Sequence, residues 1–258
     1  MKVVILAGGF GTRISEESHL KPKPMLEIGE MPILVHIMKL YAAQGFTEFV
    51  ICAGYKQQII KEYFAHYFLY NNDVTFKLAS NERIVHPRSK DDWTVTVVDT
   101  GLHTDTGGRV KRIRDYIGDE PFLLTYGDAV GDVDIHALLA SHKAAGKQAT
   151  ITCYNFGQTK GVVDLNPDGT INAFREKSDM DSDLINIGFM VLEPSIFDLI
   201  EGDSDSLERH PIAKMVKAGE VNAYIHTGFW QCMDTMREKE KLEKLWKAGN
   251  APWKIWED

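Results

Sequence analysis

Cysteine is scarce in this sequence, and its scarcity narrows the chemistry that the chain can use. The 258 residues contain only Cys52, Cys153 and Cys232, which are far apart and form no C-x-x-C pair. An odd number of widely spaced cysteines supplies neither a disulfide framework nor a zinc knuckle. We therefore expect packed, inert thiols and a reducing, cytoplasmic location.

Long apolar runs and excess positive charge are also lacking. No stretch is long and apolar enough to span a membrane, and the N-terminus enters a strand at once, without a signal peptide. The 29 Lys and Arg residues stand against 37 Asp and Glu, a net charge of −8. This balance argues against nucleic acid or an anionic membrane as partner. The length suits one domain over residues 1–258, in which a polyanionic ligand would need a local cationic pocket.

Such a pocket is indicated near the N-terminus. The apolar run from Val3 to Ala7 is typical of a buried strand. It leads into three glycines, Gly8, Gly9 and Gly11. A loop without Cβ atoms lets backbone N–H groups approach an anion. Arg13 then supplies a planar cation, and Lys23 stands between two prolines that restrict its backbone. The pattern predicts a polyphosphate site at the start of an α/β sheet.

Two common phosphate-binding motifs do not fit this stretch. A Walker loop needs G-x-x-x-x-G-K-[ST], which is absent, and a dinucleotide fingerprint needs a third glycine beyond Gly9 and Gly11. A tight turn that binds nothing is the alternative for the glycines alone. Arg13 and the Lys-Pro-Lys-Pro segment at 21–24 argue against that alternative.

Strand and helix patterns alternate at the start of the chain. Helical spacing follows Pro32 and stops at Gly45, Phe49 to Ala53 is a second buried strand, and Lys56 to Phe68 is a second helix. This alternation predicts an α/β fold with a parallel, doubly wound sheet.

The alternation breaks over residues 73–118, where we expect a small β-rich insertion. The stretches 74–78 and 93–98 have the alternation of strands, and residues 83–92 are expected to form a charged loop between them.

Asp128 follows the apolar run that starts at Pro121. Because ligands bind at the carboxyl ends of strands in open α/β sheets, Asp128 is predicted to lie at the site. Asp134 is expected to cap a helix from Ile135 to Ala145, and Asp132 to be a solvent-facing turn residue.

Short strands dominate the later part of the chain. Residues 161–165 and 170–175 predict a hairpin around an Asp-Gly turn, and Leu184 to Leu192 predicts one strand with Asn186 and Gly188 inside it. Val221 to His226 is the last predicted strand, and a terminal helix follows Asp234. The lone histidines, among them His36, are given no role.

These motifs together resemble those of the sugar-1-phosphate nucleotidyltransferases, and the landmarks cover nearly the whole chain. They include Leu6-Ala-Gly-Gly-Phe-Gly-Thr-Arg13, Lys21-Pro-Lys-Pro-Met25, Thr125-Tyr-Gly-Asp128, Gly228-Phe-Trp-Gln231 and Met233-Asp-Thr235. The likeness is strongest to the branch of the family that uses CTP and glucose 1-phosphate. It implies a Rossmann-like, doubly wound mixed sheet, with the acceptor-binding part at 155–192.

The resemblance also implies a reaction. A phosphate oxygen of a sugar 1-phosphate attacks the α-phosphorus of CTP, and pyrophosphate leaves. Because two polyanions meet, Mg²⁺ and fixed cations are the expected catalysts, without a covalent intermediate. The family further implies a homo-oligomer that supplies surface polysaccharide (O-antigen) biosynthesis.

Residue roles follow from the same resemblance. Arg13 would neutralise the β- and γ-phosphates, Lys23 would hold the α-phosphate, and Asp128 and Asp234 would bind the metal. The nucleotide would contact Leu6, Ala7, Gly8, Gly9, Gly11, Thr12, Arg109, Tyr126 and Gly127. The acceptor would contact Gly161, Glu176, Lys177, Asn186 and Gly188.

Three residues depart from the family pattern in the acceptor segments. Lys160, Ser178 and Ile187 stand where the family commonly has Phe, Pro and Gly. Bulk at Ile187 and charge at Lys160 are expected to reshape the acceptor pocket, so a different phosphorylated acceptor stays open. Another triphosphate, such as dTTP or UTP, is a second alternative. A non-catalytic sensor of nucleotide sugars is a third, although Arg13 and the two aspartates are retained.

Overall fold

The computed structural model describes residues 1–14, 19–88, 90–155, 162–166, 170–175 and 184–257. Its strands are β1 (Val3–Ala7), β2 (Glu27–Ile28), β3 (Met31–Pro32), β4 (Glu48–Ala53), β5 (Asp73–Lys77), β6 (Glu82–His86), β7 (Thr94–Asp99), β8 (Phe122–Tyr126), β9 (Ala129–Gly131), β10 (Ala149–Asn155), β11 (Val162–Leu165), β12 (Ile171–Arg175), β13 (Leu184–Asn186), β14 (Met190–Leu192), β15 (Val221–His226) and β16 (Trp230–Cys232). Its α-helices are α1 (Ile33–Ala43), α2 (Gln57–Tyr70), α3 (Thr106–Arg112), α4 (Arg114–Ile117), α5 (Ile135–Ala145), α6 (Ile196–Leu199), α7 (Ala213–Lys217) and α8 (Met236–Lys247).

A mixed central sheet organises these elements. Its strand order within the described residues is β13-β10-β14-β8-β1-β4-β7, with β15 added to β10. Strands β8, β1, β4 and β7 are parallel neighbours. Strand β14 runs antiparallel to β8, and β10 antiparallel to β14. This is the doubly wound, mixed α/β sheet that the sequence predicts.

Alternate side chains of β1 divide between two hydrophobic cores. Val3 and Ile5 pack in the cluster that contains the apolar face of α1. Val4 instead packs with Val110 and Ile113 of the segment that forms α3 and α4. Because successive strand residues point to opposite faces, a strand with helices on both sides must be apolar throughout. All of Val3–Ala7 is indeed buried.

Several local predictions are confirmed. Helix α1 starts directly after Pro32, and α5 spans Ile135–Ala145. The Asp134 carboxylate accepts a hydrogen bond from the Ala137 N–H at 2.9 Å, as an N-cap does. Strands β11 and β12 pair antiparallel, as predicted, while the Asp-Gly turn at 168–169 lies outside the described residues.

The expected charged loop at 83–92 is wrong in its first half. Glu82–His86 forms β6, which pairs antiparallel with β5 as a separate two-stranded hairpin. Both of its faces are largely exposed, so the strand needs no apolar alternation and hydrophobic periodicity misses it. Strand β7, in contrast, joins the edge of the central sheet beside β4.

The expected single strand from Leu184 to Leu192 is interrupted. Gly188 and Phe189 adopt φ values of +78° and +50°, which divide the stretch into β13 and β14 along the same edge of β10. Left-handed backbone cannot continue a strand.

Asp132 is a further correction, because it is not a free turn residue. Its carboxylate accepts a hydrogen bond from the Phe229 N–H at 2.6 Å and lies 3.1 Å from His226 Nε2. These contacts hold the loop that leads into β16, a strand the sequence did not predict.

None of the helices in the described part of the chain has the length and apolarity needed to cross a membrane.

Candidate active site

A cavity of about 450 Å³ opens at the carboxyl ends of β1 and β8. All the residues predicted to bind nucleotide line it, from Leu6 to Thr12 and then Arg109, Tyr126 and Gly127. Arg13, Lys23 and Asp128 line it as well. Parallel pairing of β1 with β8, with Leu6 opposite Tyr126, places both strand ends at one edge of the sheet.

The three loop glycines serve three different purposes. A Cβ on Gly8 would collide with the Arg109 guanidinium. Gly11 has φ +65°, a conformation that L side chains rarely adopt. A Cβ on Gly9 would meet nothing within 4 Å. Packing therefore requires the first glycine and backbone conformation the third, whereas Gly9 keeps the loop accessible from the cavity.

Arg109 binds carbonyl groups behind the glycine loop. Only 5% of the residue is exposed, and its guanidinium donates to Gly101 O at 2.7 Å and to Gly8 O at 3.1 Å. It also donates to Thr100 Oγ1 at 2.8 Å. Burial lowers the pKa of this side chain. Arg109 thus joins the ends of β1 and β7 and fixes the loop, in addition to lining the cavity.

The predicted cations and carboxylates form one chain of ion pairs. Lys23 Nζ donates to Asp128 Oδ2 at 2.7 Å and also to Asp234 Oδ1. Arg13 binds the other oxygen of Asp234 at 2.5 Å. The Lys23 side chain is 8% exposed, whereas that of Arg13 is 71% exposed. Burial by itself would lower the pKa of Lys23, but the charge of Asp128 and the hydrogen bonds that Lys23 donates to both aspartates outweigh it and raise that pKa.

A two-stranded ribbon brings Asp128 and Asp234 together. Strand β9 follows Asp128 and pairs antiparallel with β16, so that Ala129 lies opposite Cys232. The Met233 N–H donates to Asp128 O at 2.9 Å. Backbone pairing thereby brings together two aspartates that are 106 residues apart in the sequence.

Asp234 does not cap the helix that follows it. Thr235 is the N-cap of α8, and it forms a reciprocal capping box with Glu238. The Asp234 carboxylate therefore faces Lys23 and Arg13.

The aspartate pair suits a divalent cation. Mg²⁺ takes oxygen ligands and commonly uses one or two protein carboxylates, with substrate phosphates and waters completing its shell. No larger group of His, Cys, Asp and Glu that could hold a metal occurs among the described residues. Two carboxylates that converge on one ammonium at the cavity wall supply the donors that such a shared site needs.

A hydrogen-bond network that includes the Glu208 carboxylate surrounds Tyr126, which lines the cavity. Tyr126 Oη donates to Glu208 Oε1 at 2.7 Å and accepts from Asn186 Nδ2 at 3.1 Å. The Gly188 N–H donates to Asn186 Oδ1 at 2.9 Å. Burial, followed by the negative charge of Glu208, raises the pKa of Tyr126. Sequence reasoning missed Glu208, because no motif links it to a tyrosine 82 residues earlier.

The remaining acceptor predictions divide into two groups. Gly161, Glu176 and Lys177, and likewise Lys160 and Ser178, lie outside the described residues. Ile187 is described and is 1% exposed within the hydrophobic core. Its side chain therefore adds no bulk to the acceptor pocket, contrary to our expectation.

The cysteines take no part in the site. All three are free, and burial raises the pKa of Cys52 and of Cys232 to about 12. Thiols with such pKa values stay protonated and unreactive at neutral pH.

Comparison with known proteins defines the class. A family model described as nucleotidyl transferase matches residues 2–256. The chain belongs to this family and is an enzyme, a nucleotidyltransferase. A Salmonella typhimurium protein named glucose-1-phosphate cytidylyltransferase is 52% identical over 258 residues, which cover 100% of both chains.

Solved structures agree with the fold. UDP-glucose pyrophosphorylase complexed with UDP-glucose matches with a TM-score of 0.69 at 16% identity, covering 96% of this chain and 98% of that one. HddC from Yersinia pseudotuberculosis complexed with GMP-PN matches with a TM-score of 0.65 at 21% identity, covering 95% and 99%. At these identities the likeness concerns the fold alone.

Proposed function

We propose that this enzyme transfers CMP from CTP to α-D-glucose 1-phosphate, forming CDP-glucose and pyrophosphate. The observation that carries the proposal is the full-length relative of the same activity at 52% identity. The cavity is consistent with it, because cationic side chains and accessible backbone N–H groups meet there at the ends of two parallel strands.

The glycine loop and Arg13 are proposed to bind the triphosphate. Gly9 leaves room for phosphate oxygens to reach the backbone, and Gly11 turns the chain toward Arg13. Arg13 is 71% exposed, so its guanidinium can turn toward the β- and γ-phosphates. Negative charge grows on these groups as pyrophosphate departs, and a fixed cation stabilises it.

Lys23 is proposed to hold the α-phosphate. Its ammonium lies at the cavity wall between the glycine loop and Asp128. Both of its partners are carboxylates of the proposed metal site. On substrate binding, those carboxylates would pair with the metal, and the Lys23 ammonium would pair with the α-phosphate instead.

The attack on phosphorus needs no general base. A sugar phosphate is largely a dianion at neutral pH, so its attacking oxygen carries no proton. The new bond forms between that oxygen and the α-phosphorus of CTP, while the bond from the α-phosphorus to the β-phosphate oxygen breaks. The residues of the site therefore act by holding both substrates in line and by neutralising charge.

Asp128 and Asp234 are proposed to hold Mg²⁺. When bound, the ion supplies Lewis-acid neutralisation of phosphate oxygens. The two carboxylates would hold the ion together, because the β9–β16 ribbon fixes their backbones beside each other.

The sugar phosphate is proposed to bind the five predicted acceptor residues, Asn186, Gly188, Gly161, Glu176 and Lys177. Among these, Asn186 and Gly188 lie beside Tyr126. The buried Ile187 side chain removes one reason to expect a different acceptor.

We also propose that the protein is a cytoplasmic homo-oligomer and that its product is a precursor for polysaccharide (O-antigen) synthesis. Free cysteines are compatible with a reducing compartment. Phe76 and Leu78 of the β5–β6 hairpin segment are 59% and 90% exposed, a setting suited to subunit contact. Analytical ultracentrifugation of wild type and Leu78→Lys would test the assembly; a wild-type monomer would contradict it.

Pyrophosphate release in the presence of Mg²⁺ tests the reaction. Each nucleoside triphosphate is paired with a panel of sugar 1-phosphates, and CTP with α-D-glucose 1-phosphate should stand clear of the rest. Turnover of CTP with another acceptor would overturn the acceptor assignment. Preference for dTTP or UTP would overturn the nucleotide assignment, and no release from any pair would favour a sensor.

A further inference from the structure

Glu208 connects the two sides of the cavity. Its Oε1 accepts from Tyr126 Oη at 2.7 Å. Its Oε2 accepts from Thr106 Oγ1 at 2.8 Å and from Ser206 Oγ at 2.9 Å. Tyr126 and Thr106, the first residue of α3, both line the cavity. One carboxylate thus gathers three hydroxyl donors.

The carboxylate fixes the direction of the Tyr126 hydroxyl. An ionised carboxylate only accepts hydrogen bonds, so the single O–H of Tyr126 must donate to Glu208. The phenol oxygen is then left as an acceptor, which Asn186 Nδ2 uses at 3.1 Å.

The direction of the hydroxyl in turn fixes the Asn186 amide. Asn186 Nδ2 must face the phenol oxygen, and Oδ1 must face the Gly188 N–H, which lies at 2.9 Å. Asn186 is exposed, and the amide nitrogen carries a second N–H beyond the one that Tyr126 accepts. The amide therefore presents a donor to a ligand.

We propose that Glu208 is a positioning residue for the acceptor: through Tyr126 it holds the Asn186 amide so that an N–H meets an oxygen of the sugar phosphate. The inference rests on the proposed function, because Asn186 is assigned there to the acceptor. Without Glu208 the tyrosine hydroxyl is free to donate to Asn186 Oδ1, which lets the amide turn over and present the wrong group.

The anchoring of Glu208 is independent of the acceptor. Thr106 Oγ1 donates to Glu208 and accepts from the Leu207 N–H at 2.9 Å, which ties the carboxylate to the start of α3. The orientation of Asn186 is thus set before the sugar phosphate arrives. Such preorganisation lowers the cost of binding, and it predicts an effect on KM for the acceptor rather than on CTP.

Glu208, Tyr126 and Asn186 thus form a relay of hydrogen bonds. Steady-state kinetics of Tyr126→Phe and Glu208→Ala test it. Glu208→Ala should raise KM for the sugar 1-phosphate about tenfold, as expected for one misplaced polar contact, with KM for CTP changed less than about twofold. Tyr126→Phe should raise the acceptor KM equally, while Glu208→Ala carries the comparison with CTP, since Tyr126 is itself predicted to contact the nucleotide. The double variant should be no worse than either single one, because both break the same chain of contacts. Glu208→Gln keeps an acceptor oxygen for Tyr126 and should stay near wild type.

Glu201→Ala is the matched control. It removes an exposed carboxylate that pairs with Lys214 at 2.8 Å, away from the cavity. Its kinetic constants should be those of wild type.

Three results would overturn the relay: equal changes in both KM values of Glu208→Ala, additive effects in the double variant, or an unchanged acceptor KM in either single variant. If Glu208→Ala fails to fold, Tyr126→Phe and Glu208→Gln still decide the point. Failure of the proposed function is seen separately, as wild-type enzyme that releases no pyrophosphate. Calorimetric binding of glucose 1-phosphate then replaces kinetics, and an unchanged dissociation constant in Tyr126→Phe would contradict the relay.

Discussion

The side of the cavity that we propose for the nucleotide and the side that we propose for the acceptor are held by different forces. Ion pairs join the charged residues of the first side. Arg13 lies 2.5 Å from Asp234, and Lys23 lies 2.7 Å from Asp128 and also pairs with Asp234. Tyr126, Asn186 and Gly188 are joined by hydrogen bonds between neutral groups.

The difference teaches how each side meets its ligand. A lysine that is 8% exposed would be costly to bury alone, so its charge is balanced by two carboxylates. In the proposed reaction, a metal ion can replace the lysine as partner of the carboxylates, and a polyphosphate can replace the carboxylates as partner of the lysine. Tyr126, Asn186 and Gly188 are held by hydrogen bonds that the Glu208 carboxylate fixes, and they offer no such exchange, so we propose that the acceptor side is arranged beforehand. Three predictions follow from this comparison, from the largest effect to the smallest, and a fourth concerns a residue outside the cavity.

Removal of either aspartate charge should have the largest effect. Asp128→Asn and Asp234→Asn should each lower turnover at least about a hundredfold, because a neutral amide is a poor Mg²⁺ ligand. Pyrophosphate release measures the loss. Asp134→Asn is the control, since Asn also caps a helix and Asp134 lies at the start of α5. Near-normal turnover in Asp128→Asn or Asp234→Asn would remove that residue from the metal site.

Gly8 and Gly9 separate packing from ligand access on the nucleotide side. Gly8→Ala should destabilise the fold by about 1–3 kcal/mol, because the new methyl group overlaps the Arg109 guanidinium. Gly9→Ala should change the free energy of unfolding by less than about 0.5 kcal/mol yet raise KM for CTP several-fold. Urea unfolding and kinetics measure the two effects. Equal stability losses in both variants would contradict the distinction.

Gly188 tests the acceptor side in the same way. A Cβ at this residue would lie 2.9 Å from Tyr126 Cδ2, and the backbone has φ +78°. Gly188→Ala should raise KM for the sugar phosphate about tenfold with little change for CTP, since one polar contact is displaced. Gly219→Ala has a similar φ of +71° and open space around its Cβ, so it should share the backbone strain without the kinetic change. Matching kinetics in the two variants would mean that strain alone is responsible.

Acid sensitivity is expected from His36, which lies outside the cavity. His36 is buried, accepts from Trp253 Nε1 at Nδ1 and donates from Nε2 to Ile28 O at 2.8 Å. Burial lowers its pKa from 6.5 to about 4. The unfolded chain therefore binds the proton first, and stability falls as pH drops from 6.5 to 4, by up to about 3 kcal/mol. Above pH 6.5 this contribution is constant.

Urea unfolding at pH 7 and pH 5 measures that loss. His36→Gln should flatten the dependence, although it also lowers stability at both pH values. His66→Gln, which removes an exposed histidine, should keep the wild-type slope. An unchanged slope in His36→Gln would assign the acid sensitivity to other groups.

Local patterns were sufficient for much of the fold. Apolar runs predicted β1 and β4, and helical spacing predicted α1 and α5, because strand and helix periods are written in neighbouring residues. The same reasoning failed for β6, whose exposed faces need no apolar pattern, and for β16, which is only three residues long.

The sequence by itself determined that a cationic glycine loop ends a buried strand and that Asp128 ends another. Its likeness to a family assigned Asp234 to the same site. Tertiary structure alone decided that the β9–β16 ribbon joins the two aspartates, that Arg109 faces carbonyl groups, and that Ile187 points into the core. Glu208 is the clearest case of this kind, since its partners come from three distant segments. Contacts between distant residues depend on how the sheet is wound, and no local period records that.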